Sequence, residues 1–307
     1  MDLGIDLGTT HTVVASVDRG NYPVMSFQDS QDDSHDHIPS LSALVNGELV
    51  HGFEAAEAMA AGHPGIRSVK RSLADPSVTF STPVMIGGTP VPIGELLTCY
   101  LRHVAAQIRM AGVEGPLRAV IGVPAHAHTG QRFVTIEAFR AAGFTVLGMV
   151  NEPSAAGLEY SLRQSRTLNS KRTRVIIYDL GGGTFDASLV DMAGTSGEVV
   201  DSVGLNDLGG DDFDQVLADM VGRRVEGPLP EQGALLETCR IAKEAVRTQS
   251  RNVLVDLPDQ TVRIPVAEFE AACQPLVDRS LAVMTPLSAL LQDDPANSDI
   301  AGIDMVG

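Results

Sequence analysis

The chain has 307 residues, 44% of them hydrophobic, and a formal net charge of −17. Such a length buries a large core and suggests about two domains, while the acidic balance excludes an extended contact with nucleic-acid phosphate or an anionic membrane surface, both of which need clustered Lys and Arg. Cys99, Cys239 and Cys273 stand far apart without CxxC spacing, which points away from a disulfide framework or a zinc site.

Along the chain, Leu3 and Ile5 lead into Asp6-Leu7-Gly8-Thr9-Thr10, and Val13-Val14-Ala15 follows, the pattern of strand, tight turn and strand. The polar stretch from Gln28 to His37, with Asp29, Asp32, Asp33, His35, Asp36 and His37, reads as a surface loop, and it is assigned no metal because no element aims its carboxylates and imidazoles. Short strands and a small-residue helix around Glu54 to Ala61 fill the region from about Ile38 to Pro92. Thr98 to Ala111 then has helical spacing through Cys99, Leu101, Val104, Ala105 and Ile108. Ala119 to Val123 reads as a buried strand, Gln131 to Ala142 as a helix stopped by Gly143, and Thr145 to Val150 as a second strand, a β-α-β unit.

The pattern then starts again. Val175-Ile176-Ile177, the turn Asp179-Leu180-Gly181-Gly182-Gly183-Thr184-Phe185-Asp186, and Ala187, Leu189 and Val190 make a second hairpin. Gly209 and Gly210 precede a helix from Asp212 to about Met220, and Leu235 to Gln249 is a further helix. A hairpin around Val253 to Ile264, a long helix from Val266 onward and a final strand, Ile303 to Val306, complete the chain. Neither a signal peptide nor a run of about 18 apolar residues is visible, so the expected compartment is the cytoplasm.

The two turns carry the chemistry. Glycines let backbone N–H groups come close to a ligand and converge on phosphate oxygens. The carboxylates at the turns suit magnesium, which takes hard oxygen ligands, keeps several waters and sits beside substrate phosphates. One such turn is ordinary hairpin chemistry; two, each between apolar strands, describe a nucleotide clamp with a hinged cleft.

Five segments in order, Asp6 to Thr10, Val123-Pro124-Ala125 with Gln131 and Arg132, Asn151-Glu152-Pro153-Ser154-Ala155-Ala156, Asp179 to Asp186, and Leu208-Gly209-Gly210-Asp211-Asp212-Phe213-Asp214, resemble the nucleotide-binding domain of DnaK-type 70-kilodalton heat-shock chaperones across essentially the whole chain. The hairpins alone would also fit sugar kinases or actin-like proteins; the Asn-Glu-Pro-Ser-Ala-Ala and Leu-Gly-Gly runs discriminate. The resemblance implies an α/β, actin-like ATPase fold with two similar lobes, four subdomains in all, around a central nucleotide cleft. Lobe I would span 1–168 with an insertion subdomain at about 38–97, and lobe II 169–307 with one at about 210–275.

By position, Gly8, Thr9, Thr10 and His11, with Gly182, Gly183, Thr184, Gly209, Gly210 and Lys243, would hold ATP or ADP. Lys70, Glu152, Asp179 and Thr184 would serve hydrolysis. Asp6, Asp179 and Asp186 would serve the metal, with magnesium oriented through its waters and potassium nearby. Pro124 and Arg132 resemble the family's proline switch and arginine relay. Such equipment suffices for phosphoryl transfer, which needs positioning and charge neutralisation rather than a covalent nucleophile.

Two departures qualify the resemblance. In the helix from Cys239 to Arg247, Lys243 keeps the family's adenosine-side lysine, but Arg240 and Arg247 replace an acid and a serine. The 214–235 region is shorter than the subdomain that receives exchange factors, and a closing helix, linker and peptide-binding domain are expected to be missing, so client polypeptides and co-chaperones would be met only by an intact protein. The reading is a slow ATP hydrolase whose nucleotide state controls lobe closure and client binding; the alternative is a non-hydrolysing nucleotide sensor or protein-interaction module.

Overall fold

The computed structural model describes residues 1–67, 69–164, 167–169, 171–192, 197–230, 232–292 and 299–307. Two larger sheets repeat one plan. In the first, the antiparallel hairpin Asp2–Leu7 and His11–Ser16 is flanked by the short strand Ile38–Pro39 on one side and by Arg118–Val123, parallel to Asp2–Leu7, on the other, with Thr145–Asn151 beyond. In the second, the hairpin Arg174–Leu180 and Phe185–Asp191 has the antiparallel Glu198–Leu205 on one side and the parallel Ile300–Val306 on the other. Asp6 and Asp179 therefore occupy equivalent stations, each the penultimate residue of the first hairpin strand.

Alternation explains the first sheet. Leu3, Ile5, Val14, Ala119 and Ile121 point to one face, where Leu97, Leu101, Val104 and Ile108 of the helix Ile93–Met110 and Val134, Ala138 and Phe139 of the helix Thr129–Ala141 cover them. The second sheet is covered on both faces: Ile176, Phe185, Ala187 and Leu189 meet Met284 and Leu287, while Val175, Ile177 and Val190 meet Tyr160 and Met192. That reads in sequence as a nearly continuous apolar run.

Tyr160 belongs to the helix Glu152–Arg163, which follows the last strand of the first sheet yet packs against the second. Close approach demands a small residue: a Cβ on Gly157 would lie 2.9 Å from Met192 Sδ and 3.1 Å from Val190 Cγ1. Smaller units hang from this frame: a three-stranded sheet of Glu48–His51, Leu41–Val45 and Gly65–Arg67 beside the helix Gly52–Ala60, and a separate core of the helices Gly210–Gly222 and Gln232–Glu244 with the hairpin Asn252–Leu257 and Gln260–Pro265.

Several elements differ from the sequence reading. The 28–37 segment is not a plain loop: Phe27–Gln28 pairs with Ser34–His35, and Asp29 Oδ1 accepts the N–H groups of Gln31 (2.8 Å) and Asp33 (3.0 Å), closing an Asx-type turn. The helix read as Leu235 to Gln249 ends at Glu244, because Ser250 Oγ takes the Arg247 N–H at 3.0 Å and closes a turn on itself. The helix Glu152–Arg163, the strand Glu198–Leu205 and the short helix Val69–Ser72 went unread, while the helix Ile93–Met110 and the strand Ile300–Val306 start earlier than their apolar patterns suggest. Among the described residues no helix is long and apolar enough to cross a membrane.

Candidate active site

A cleft of about 650 Å³ lies between the two hairpins. Its walls bring together Asp6, Gly8, Thr9, Thr10 and His11 from the first hairpin, Asp179, Gly182, Thr184 and Asp186 from the second, and Lys70, Pro124 and Glu152. The two glycine loops touch: a Cβ on Gly182 would lie 1.6 Å from Thr10 Oγ1, so no side chain fits there. Gly8 is required by its own turn, where a Cβ would meet the His11 carbonyl at 2.4 Å.

At the centre, Lys70 Nζ donates to Glu152 Oε1 at 2.7 Å, with the side chains only 14% and 19% exposed. Lys70 rides on the single helical turn Val69–Ser72, and Glu152 opens its helix with Pro153 beside it, a residue preorganised for a first turn. Burial alone would lower the lysine, but Glu152, Asp6 and Asp179 outweigh it and hold its affinity for the proton above the ordinary value. Glu152 is held above the usual carboxylate range by burial, against the pull of Lys70. Burial, with Asp186 beside it, pushes Asp179 up to about 6.

Among the described residues lining the cleft, Lys70 is the one Lys or Arg against five carboxylates, Asp6, Asp36, Glu152, Asp179 and Asp186. Such a surplus of negative charge fits a divalent cation. No three His, Cys, Asp or Glu among the described residues converge to grip an ion directly, and this donor set suits magnesium, which keeps its waters.

Other named residues stand behind the loop. Gly210 and Asp211 donate their N–H groups to the carbonyls of Gly181 (2.9 Å) and Gly182 (2.7 Å), and the Gly209 N–H goes to Asp212 Oδ2 at 2.8 Å. Gly209 and Gly210 thus brace the second loop from the rear instead of lining the cleft. Lys243 is held there too, 2.7 Å from Asp214 Oδ1 and 3.0 Å from the Gly210 carbonyl. Arg240 is bound by Glu237 (2.5 Å) and Glu244 (3.0 Å), and Arg247 folds onto the Glu244 carbonyl at 2.7 Å.

Arg132 grips the turn after Pro124, donating to the Ala127 carbonyl at 2.9 Å and to Asn151 Oδ1 at 2.9 Å. Sequence reasoning missed four participants. His126, two residues past Pro124, reaches Asp186 across the cleft at 2.5 Å. Arg71, next to Lys70, bonds the Gly183 carbonyl. The end of the acidic segment also turns inward: Asp36 and His37 line the cleft, and His37 lies 3.9 Å, ring centre to ring centre, from His11. Burial, with His37 and Arg240 adding to it, pushes His11 down to about 4, so its ring is neutral at pH 7.

The family model described as "Hsp70 protein" matches residues 89–307. This chain belongs to the Hsp70 family. It is 32% identical over 207 residues to the "Chaperone protein DnaK" of Metamycoplasma hominis, covering 66% of this chain and 32% of that protein. It is 33% identical over 204 residues to that of Mycoplasmopsis synoviae (strain 53), with the same coverage. The Hsp70-family chain therefore spans about a third of the length of the curated relatives it matches. The family match starts after the first hairpin and Lys70, so the claim of Asp6 to His11 and Lys70 on the site rests on their convergence with Glu152 and Asp179 in one cleft.

Proposed function

We propose that this chain is the nucleotide-binding domain of a DnaK-type chaperone, binding MgATP in the cleft and hydrolysing it slowly. The observation that carries the reading is the Lys70–Glu152 pair, 2.7 Å apart and enclosed between two glycine loops in mutual contact. In this reading the N–H and hydroxyl groups of Gly8, Thr9, Thr10 and His11, with those of Gly182, Gly183 and Thr184, hold the phosphates. Lys70 Nζ, fixed by Glu152, neutralises charge on the transferred phosphoryl group and orients the attacking water; Asp179 and Thr184 border the same space. Asp6, Asp179 and Asp186 would hold magnesium, with potassium nearby, and the metal would supply positive charge to the phosphates.

The repeated sheet plan supports an actin-like architecture, lobe I at 1–168 and lobe II at 169–307, each with an inserted subdomain. Pro124 and Arg132 report nucleotide state, and client polypeptides and co-chaperones belong to the whole protein, in the cytoplasm. A second reading, a nucleotide sensor or interaction module without turnover, is favoured by one observation: Arg240, Lys243 and Arg247 are all held by neighbouring protein groups, which leaves base recognition without a free cation from these three positions.

Calorimetric titration of MgATP, MgADP and MgGTP, followed by single-turnover hydrolysis, separates the two. Adenine-selective binding with slow turnover that vanishes in Lys70→Ala is expected; binding without any turnover replaces the first reading by the second.

A further inference from the structure

Lys70 and Arg71 are neighbours on one helical turn, and successive residues on a helix diverge by about 100°, so the turn presents two faces. Lys70 faces Glu152. Arg71 crosses to the second hairpin, where Nε donates to the Gly183 carbonyl at 3.0 Å, Nη2 donates to the same oxygen, and Nη2 lies 3.9 Å from Asp211 Oδ2. The guanidinium fills the space above Gly183: a Cβ there would sit 2.5 Å from Nε. In a planar trans peptide, C=O and the following N–H point in opposite directions. Fixing the Gly183 carbonyl therefore fixes the direction of the Thr184 N–H. Two donors from one rigid fork constrain that carbonyl more than a lysine could.

We propose that Arg71 is a positioning residue of the nucleotide site, locking the second glycine loop and Thr184 to the turn that carries Lys70, so that lysine and loop meet the phosphates as one unit. The inference rests on the ATPase reading for its consequence but not for its geometry. Lys70 is aligned from both sides, by Glu152 on its own side and, through Arg71, by the opposite loop. Gly183 is explained in the same way, since any side chain there expels the guanidinium.

The test compares wild type, Arg71→Ala, Arg71→Lys, Gly183→Ala and the Arg71→Ala/Gly183→Ala double variant. Hydrogen–deuterium exchange of residues 181–186 needs no nucleotide; Arg71→Ala is expected to speed exchange there while leaving the helix Ile93–Met110 unchanged. Single-turnover hydrolysis at saturating MgATP is expected to slow at least about tenfold, with MgATP affinity within about threefold and Tm within about 2 °C of wild type. Arg71→Lys should recover part of the rate, and the double variant should be no slower than the worse single one, as for two changes that break one contact. Unchanged exchange at 181–186, or multiplicative losses in the double variant, overturns the lock. A rate unchanged within about twofold in a hydrolysing protein overturns it as well. If wild type does not hydrolyse at all but Arg71→Ala still loosens the loop, the ATPase reading falls and the lock stands.

Discussion

Arg132 Nη2 donates to Asn151 Oδ1 at 2.9 Å, and this bond ties the turn after Pro124 to the residue that starts the Glu152 helix. Asn151 occupies the N-cap position without capping through its side chain, because that oxygen is taken by Arg132. Arg132→Ala also frees the Ala127 carbonyl, and it is expected to cost about 1.5–3 kcal/mol, the range for hydrogen bonds to a charged group. Urea denaturation measures it; a loss near that of an ordinary surface substitution would remove the relay.

Lys70→Ala takes the ammonium from Glu152 and, in the proposed function, from the phosphates at once. The single-turnover rate is expected to fall about 100- to 1,000-fold, with MgADP affinity within about threefold. Equal loss of rate and affinity would mean that Lys70 binds ground state and transition state alike.

Gly182→Ala places a methyl on Thr10 Oγ1. The overlap is expected to cost about 1–3 kcal/mol of closure, roughly 5- to 150-fold in MgATP affinity by calorimetry. Gly148→Ala is the control: a Cβ there meets nothing within 4 Å and Gly148 does not line the cleft, so affinity should stay at the wild-type value.

Acid destabilisation is expected from the small three-stranded unit. Burial, with His103 beside it, pushes His51 down to about 4, and its Nδ1 lies 2.8 Å from Ser42 Oγ. A folded-state value below the unfolded one disfavours protonation of the native state, so the contribution is full above the unfolded value and is lost as pH falls from about 6.5 towards 4. The slope amounts to roughly 2 kcal/mol by pH 5. Half-buried His103 and His11 act in the same direction, whereas Asp179 acts oppositely. The difference in denaturation free energy between wild type and His51→Gln at pH 7 and pH 5 isolates it; parallel pH curves for the two proteins would refute the assignment.

Both hairpins were legible because each turn combines Asp, Gly and Thr between apolar runs, and local turn chemistry settles such geometry without help. The Glu152 helix was not, because Pro153-Ser154-Ala155-Ala156-Gly157 carries no apolar stripe and its burial comes from the opposite sheet. Glu198–Leu205 hides for a similar reason: Glu198, Asp201 and Ser202 break the alternation, and pairing with Phe185–Asp191 supplies the strand. At the site, Lys70 and the glycines follow motifs, while Arg71, His126 and His37 gain their partners only when distant segments meet.

The helix Glu152–Arg163 has the geometry of a lever whose moving end carries Glu152. Its flank is seated on Val190 and Met192 of the second sheet, while its first residue holds the lysine delivered by the first. Twelve residues make a rod of about 18 Å, so a tilt of about 5° around the far end sweeps Glu152 through about 1.5 Å. A 2.7 Å hydrogen bond does not survive that sweep. If the proposed hydrolysis depends on the Lys70–Glu152 pair, an opening of the cleft that tilts this helix would disarm it, and turnover would be confined to a narrow band of opening angles.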